Sequence, residues 1–439
     1  MSFISFRATS AYLCTLDQMR KLRNESRSRS GISPLVGPQS GELALQCLPK
    51  PDKTMITHRS IFLSALTISI ITGISACTPQ ADVGPNGTTL DVDDLAKSIE
   101  AKIKDNVKGY QIVIYADGSL KASRAGGSAR MSQDAPARTM SIGDKINVAS
   151  VSKTVTAAAL MKLLTDNKID VDDKFWSYLP SHWSIPASVK ALSFRQLFTH
   201  KSGFLTHYGS DYANLKKLVA NGASVNKPYL YNNSNYALMR FLIAKLSGAS
   251  ITPVPTNATA AQLSFTETTQ AEQYTYAYIA NCQESVFDKV GIAPNMACKP
   301  TDTNPALCYK WAAPNGNGTA WGDMTFTNAE RGWNMSGLQM AALLNTLNTT
   351  SKIVPTTAAK AMRTDSLGYD GCNMQTNSGV KYYFKNGGYP AGNNPGEVSA
   401  WIFGFENNVH MAVLVNSDYK SGNIFSDIIN SFDEWYKKK

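Results

Sequence analysis

The sequence predicts an α+β fold: an antiparallel sheet built from both chain ends and flanked by helices, plus a mostly helical region from the middle. Three observations carry this. Strand-like runs joined by turn residues occur between Gln111 and Ser123, and again between Lys381 and Val415. The stretch between them repeats apolar residues at helical spacing, and an amphipathic segment closes the chain over Asn423 to Tyr436.

Taken in order, Leu95 to Ile103 reads as a helix. Gln111 to Ala116 and Ser119 to Ser123 flank Asp117-Gly118, a pair that favours the tight turns of hairpins. Ile146 and Val148 alternate with polar residues as on an extended entry. Val155, Ala158, Ala159, Met161, Leu163 and Leu164 then follow at helical spacing without Gly or Pro. A further helix ends near Thr199, and another opens after Tyr231 to Tyr236 and stops at Gly248. Ile251 to Gln273 is polar and Thr/Ala-rich and reads as an inserted loop. Glu284 to Ile292 and Gly332 to Leu347 are amphipathic pieces of the helical part. Lys381 to Phe384, Val398 to Phe405 and Val409 to Val415 are strands, the last two joined at Glu406-Asn407-Asn408.

The 439 residues, 43% hydrophobic, suffice for one large core or two domains. Residues 1–77 carry nine Lys/Arg against four acidic groups, so half of the net charge of +10 lies there and residues 78–439 hold only +5. No basic run interleaved with aromatics follows, and no nucleic-acid partner is expected. Residues 1–54 read as a non-structural extension upstream of the true start at Met55. Residues 55–77 have a short basic start, an apolar run over Ile61 to Ile74, and small residues before Cys77. This is the pattern of a lipoprotein signal peptide, with Cys77 as the lipidated residue and the membrane as partner through that anchor. An ordinary signal peptide with a chance cysteine is the alternative. Residues 78–92 read as a linker. Residues 93–439 form the domain, with a sheet subdomain at about 93–190 and 375–439 and a helical one at about 191–374.

After export, Cys282, Cys298, Cys308 and Cys372 remain for an oxidising compartment, which permits three pairings. Cys298 and Cys308 are nearest in sequence and are the expected bridge. No Cys/His spacing supports a metal site, and no cofactor is expected.

Ser150 stands where the extended entry becomes a helix, with Lys153 one turn along on the same face. A serine hydroxyl becomes a competent nucleophile when a nearby amine of lowered pKa takes its proton. The first helical turn, with its free N–H groups, favours an oxyanion and a neutral lysine. A serine before a helix is otherwise an N-cap. His200, at a helix end, reads as structural. Tyr231 and Asn233 flank one residue before a helix: a phenol able to exchange a proton with a serine, and an amide able to grip a substrate amide. Packing and capping explain them equally well when taken singly. Lys385-Asn386-Gly387-Gly388 places a cation on a strand whose glycines let a ligand approach the backbone; the plain alternative is a surface lysine before a turn.

In this order, Ser150-x-x-Lys153, Tyr231-x-Asn233 and Lys385-x-Gly387 resemble the recurring parts of the class C β-lactamase-like family of penicillin-recognising serine hydrolases. That family includes D-alanyl-D-alanine peptidases and carboxylesterases. Leu192 to Phe204 is similar to its Leu-Thr-x-Arg-x-Leu-Leu-Thr-His-x-Ser-Gly-Leu segment, and Gly332 to Ser336 to its Gly-Gly-x-x-Ser-Thr region. The resemblance runs from about Leu95 to the C-terminal helix and implies a β-lactamase/transpeptidase-like fold. It implies Ser150 as acylated nucleophile, Lys153 as its base, Tyr231 as proton carrier and Asn233 as a substrate contact. It also implies Lys385, Asn386 and Gly387 as substrate-binding residues, and the N–H groups of Ser150 and Gly388 as the oxyanion hole. The implied substrate is a small-molecule or peptide amide or ester: a D-amino-acid peptide, a β-lactam or a carboxylic ester. A non-hydrolytic protein that binds or senses β-lactams or peptidoglycan by acylation without turnover is the alternative. The family's Lys-Thr-Gly has Asn386 at its middle position here, which weakens the antibiotic-resistance reading. No Gly-x-Ser-x-Gly elbow supports a conventional Ser-His-Asp enzyme.

Overall fold

The structure, a computed structural model, describes residues 82–83, 89–291, 296–389 and 396–437, all within one compact unit, Ala76–Lys439. Residues 1–54, the 55–77 signal segment with Cys77, and most of the 78–92 linker lie outside the described residues.

Seven strands build the main sheet: β1 (Gly109–Ala116), β2 (Ser119–Arg130), β3 (Arg138–Thr139), β4 (Gly371–Gln375), β5 (Lys381–Tyr389), β6 (Val398–Phe405) and β7 (Val409–Val415). Their spatial order is β3-β2-β1-β7-β6-β5-β4, with every neighbouring pair antiparallel. The N-terminal hairpin thus meets the C-terminal one at the β1–β7 seam, where Ile112 pairs with Val413. Asp117 and Gly118 turn the first hairpin with φ of +46° and +80°, the positive angles that a two-residue type I′ turn requires.

The principal helices are α1 (Val92–Ile103), α2 (Ser152–Asp166), α3 (Asn233–Leu246), α4 (Ala260–Cys282), α5 (Gly337–Thr349), α6 (Thr356–Thr364) and α7 (Ile424–Trp435). Period-two alternation sorts the buried strand β7 between two cores. Val409, Met411, Val413 and Val415 face Leu95, Ile99 and Ile428 of α1 and α7, whereas Ala412 and Leu414 join the larger core with α2 and α5. Phe432 of α7 is fully buried and stacks on Phe405 at 3.9 Å between ring centroids. Phe432→Ala should cost about 3–5 kcal/mol, read as a lowered urea midpoint at nearly unchanged slope.

Three sequence expectations change. Ile251 to Gln273 is mostly helix rather than a loop: Thr259 and Gln262 close a capping box, and α4 runs from Ala260. Its buried face carries polar residues that find partners, as when Gln270 accepts from the Tyr212 hydroxyl at 2.6 Å and donates to the Thr252 carbonyl at 2.7 Å. α5 falls within 191–374 yet packs on β1, β6 and β7, so the sheet layer borrows a helix from the middle of the chain. Cys298 and Cys308 are not bridged; all four described cysteines are free thiols. Cys298 accepts from Met324 N on the side of Gln283. Cys308 pairs through its backbone with Thr319, between residues bound to Ala129 and Asn416.

Candidate active site

Ser150 is held by backbone on both sides. Ile146–Asn147 pairs with Asn334–Met335, and Val148 N donates to Trp333 O at 2.9 Å. Ala149 then takes φ +46°, a left-handed conformation uncommon for a side-chain-bearing residue, with its N–H donated to Asn147 Oδ1 at 2.8 Å. This kink starts a 3-10 turn, Ala149–Val151, which runs directly into α2. α2 is buried on nearly all sides against α3 and α4, so Lys153, in its first turn, has no exposed surface.

The lysine amine has three oxygen neighbours: Ser150 Oγ at 3.0 Å, Asn233 Oδ1 at 2.8 Å and the Glu330 carbonyl at 2.7 Å. Burial, and next the charge of Lys385, push its pKa well below the usual lysine value, against the opposing pull of Glu330 and Asp370. A neutral amine has two N–H donors and one lone pair. With the donors spent on Asn233 and Glu330, the lone pair faces Ser150. On the other side of that hydroxyl, Tyr231 OH donates to Ser150 Oγ at 2.8 Å. Tyr231 is 40% exposed as a residue, but its hydroxyl is committed to the serine, and burial raises its pKa so that it remains a phenol.

Tyr231 is backed by His200, whose ring lies 4.4 Å away between centroids. His200 Nδ1 accepts the Asn232 N–H at 3.2 Å, and burial, followed by the two lysines, lowers its pKa to about 3. It is therefore a neutral prop for the tyrosine. Lys385 is buried, forms an ion pair with Asp370 Oδ1, and places its amine 5.3 Å from the Tyr231 ring centroid. Its pKa is lowered by burial, and the Asp370 pair works against that shift.

β4 pairs with β5 only as far as Phe384, and among the described residues no strand pairs with the rest of that edge. Asp370 N donates to Phe384 O at 2.9 Å, and Asn386 N donates to Asp370 Oδ2 at 3.0 Å, both along that edge. Backbone alternation turns the N–H of Gly388, two residues further, the same way, and Gly388 is exposed. A Cβ on Gly387 would stand 2.2 Å from Val148 O and 2.7 Å from Ser150 N, so only glycine lets the strand lie against the serine turn. Asn386 differs from its neighbours. The alternation puts it on the face of Phe384 and its cross-strand partner Trp401, opposite Lys385 and Gly387. Its backbone is tied to Asp370 through the N–H.

Ser150, Lys153, Tyr231 and Asn233 thus meet within hydrogen-bonding reach, with Lys385 behind the tyrosine and Gly387 against the turn. Two members had no sequence signal. Glu330 meets the lysine through its backbone carbonyl, which any residue supplies, and its buried carboxylate adds a charge that pulls the amine's pKa up; Asp370 belongs to no motif. An acid within 15 positions of a buried strand lysine was the one available hint. Among the described residues, no group of three or more His, Cys, Asp or Glu side chains is placed to hold a metal ion.

A seven-stranded antiparallel sheet packed on helices defines the fold class of β-lactamases and transpeptidases, and solved structures agree. FmtA from Staphylococcus aureus superposes with a TM-score of 0.56 at 17% identity, covering 79% of this chain and 91% of that one. A class C β-lactamase from Rhodobacter sphaeroides gives 0.56 at 16%, covering 78% and 98%. The D-amino acid amidase from Ochrobactrum anthropi SV3 gives 0.56 at 15%, covering 77% and 99%. The chain belongs to the Beta-lactamase family, whose model matches residues 95–430. Teichoic acid D-alanine hydrolase of Staphylococcus aureus is 27% identical over 164 residues, which span 35% of this chain and only 39% of that relative.

Proposed function

We propose that this protein is an envelope serine hydrolase that forms an acyl-enzyme on Ser150 with a D-aminoacyl ester or amide. The observation that carries the reading is the serine hydroxyl between a buried amine at 3.0 Å and a phenol at 2.8 Å. In this reading Lys153 takes the Ser150 proton as Oγ attacks the substrate carbonyl. The N–H groups of Ser150 and Gly388 receive the tetrahedral oxygen, each donor worth about 3–4 kcal/mol of transition-state stabilisation. Tyr231 delivers a proton to the leaving group and is reprotonated from Lys153, while Lys385 keeps the phenol region positive and Asn233 meets the substrate amide. Water then attacks the ester, and the proton transfers run in reverse.

The preference for D-aminoacyl substrates over β-lactams draws on two features. Relatives include a teichoic acid D-alanine hydrolase and a D-amino acid amidase, and Asn386 stands where Lys-Thr-Gly has its threonine. Export as a lipoprotein through Cys77 belongs to the same reading; metabolic labelling with a tagged fatty acid should mark the wild type and not Cys77→Ser.

The functional test is a panel of D-alanyl esters, D-amino acid amides, nitrophenyl esters and nitrocefin. At least one should turn over in steady state, and mass spectrometry of the quenched reaction should find the acyl group on the Ser150 peptide. Stoichiometric acylation without turnover would instead identify a binding or sensing protein. Absence of any Ser150 adduct across the panel sinks both readings.

A further inference from the structure

A second polar site lies at the far end of the sheet, on the face covered by α5 and α6. A cavity of about 190 Å³ is lined there by Lys360 and Arg363 of α6, Lys381 and Tyr383 of β5, His410 of β7, and Glu406 of the β6–β7 turn. The floor is one cross-strand row: Tyr383 pairs with Gly404, and Gly404 with His410. A Cβ on Gly404 would stand 2.2 Å from the Tyr383 hydroxyl, so the missing side chain is what lets the phenol lean across β6 toward the histidine.

Both ends of this row carry unmet polar atoms. His410 is 3% exposed and Tyr383 6%, yet neither His410 Nδ1 nor the Tyr383 hydroxyl has a hydrogen-bond partner. Buried polar atoms are nearly always matched, and these two lie just beneath the cavity floor without solvent contact of their own. The roof is cationic. Arg363 Nη1 donates only to the neutral Asn348 amide, at 3.3 Å, and among the described residues no carboxylate lies within ion-pair distance of Arg363 or Lys360. Lys381 reaches Glu406 loosely, at 3.9 Å, with both side chains more than half exposed. Burial, and then Arg363, hold the His410 pKa at about 4, so the imidazole is neutral near pH 7. Three cations against one carboxylate leave an uncompensated charge of +2 around the cavity.

We propose that this cavity binds a phosphate ester. A dianionic phosphoryl group matches the surplus charge, and the guanidinium with two ammonium groups suits its oxygens. Tyr383 and His410 floor the cavity beneath that group, and the remaining volume takes a small organic group. A monocarboxylate neutralises only half of that charge. The site is independent of the acyl-transfer reading: it shares β5 with Lys385 but none of the groups around Ser150.

The test is isothermal titration of the full chain at low ionic strength with inorganic phosphate, glucose 6-phosphate and acetate. Saturable binding of both phosphates is expected, at least tenfold tighter than acetate. Arg363→Gln should weaken it at least tenfold, and the exposed Lys360→Gln by several-fold, while Ser150→Ala leaves it unchanged. Matching thermal melts of Lys360→Gln and wild type guard against a folding artefact. No saturable binding of either phosphate, equal affinity for acetate, or affinity untouched by both α6 substitutions would each overturn the proposal.

Discussion

Ser150→Ala is expected to reduce steady-state turnover by on the order of 10⁴ to 10⁶, as losses of nucleophiles that act within a coupled unit do. Lys153→Ala should fall nearly as far, because a serine 3.0 Å from an empty cavity has no acceptor for its proton. The double variant should be hardly worse than either single one, since amine and hydroxyl perform one step together. Additive losses in the cycle would mean that the two groups act separately. The pH dependence carries a sign as well. The working form of Lys153 is the neutral amine, so kcat/KM should rise with pH through its depressed pKa and stay level above. Lys385 pushes that pKa down and Glu330 pulls it up. Lys385→Met should therefore move the acid limb to higher pH, and Glu330→Gln to lower pH. If both variants leave the limb in place, it reports some group other than Lys153.

Local periodicity placed only Ser150 and Lys153 on one helix face; the expectation that Tyr231 and Asn233 join them came from the resemblance, because packing and capping explain those two equally well when taken singly. The hairpins were legible locally too: Asp117-Gly118 and the run to Asn408, which takes φ +59°, use residues that tolerate positive φ. Long-range geometry was another matter. Asp370 reaches Lys385 only because β4 folds back along β5, and a sequence reading has no access to that register. The Glu330 carbonyl leaves no trace in residue identity. The kinked Ala149 could not be foreseen either, since it follows from the Asn147 bond and the pairing to Asn334.

The loop expected over Ile251 to Gln273 failed for a physical reason. α4 looked like a loop because its buried side carries Thr266, Gln270 and Thr275, which hide the apolar period that betrays most helices. Composition-weighted reading fails where polar groups are buried with partners, and motif reading fails where the backbone rather than the side chain is the functional part.

Gly387 concentrates that last point and yields the second large effect. A methyl group at this position would meet Val148 O at 2.2 Å, Ser150 N at 2.7 Å and Val151 N at 2.8 Å, all of them backbone atoms of the serine turn. None can swing aside as a side chain would, so strand and turn must separate by about 1 Å. Displacements of that size at a reacting atom cost roughly 10²-fold in rate. Gly387→Ala is therefore expected to lose at least that much in kcat/KM, and Gly387→Val more, with the Ser150 hydroxyl, Lys153 and Tyr231 all chemically intact. Gly388→Ala is the matched comparison. Its added Cβ would meet only Val398 O at 3.4 Å, an ordinary contact, and its N–H is retained. It should keep activity within tenfold of wild type. Equal losses at the two positions would trace the effect to general crowding of β5, whereas the expected contrast ties it to the distance between the strand and the serine turn.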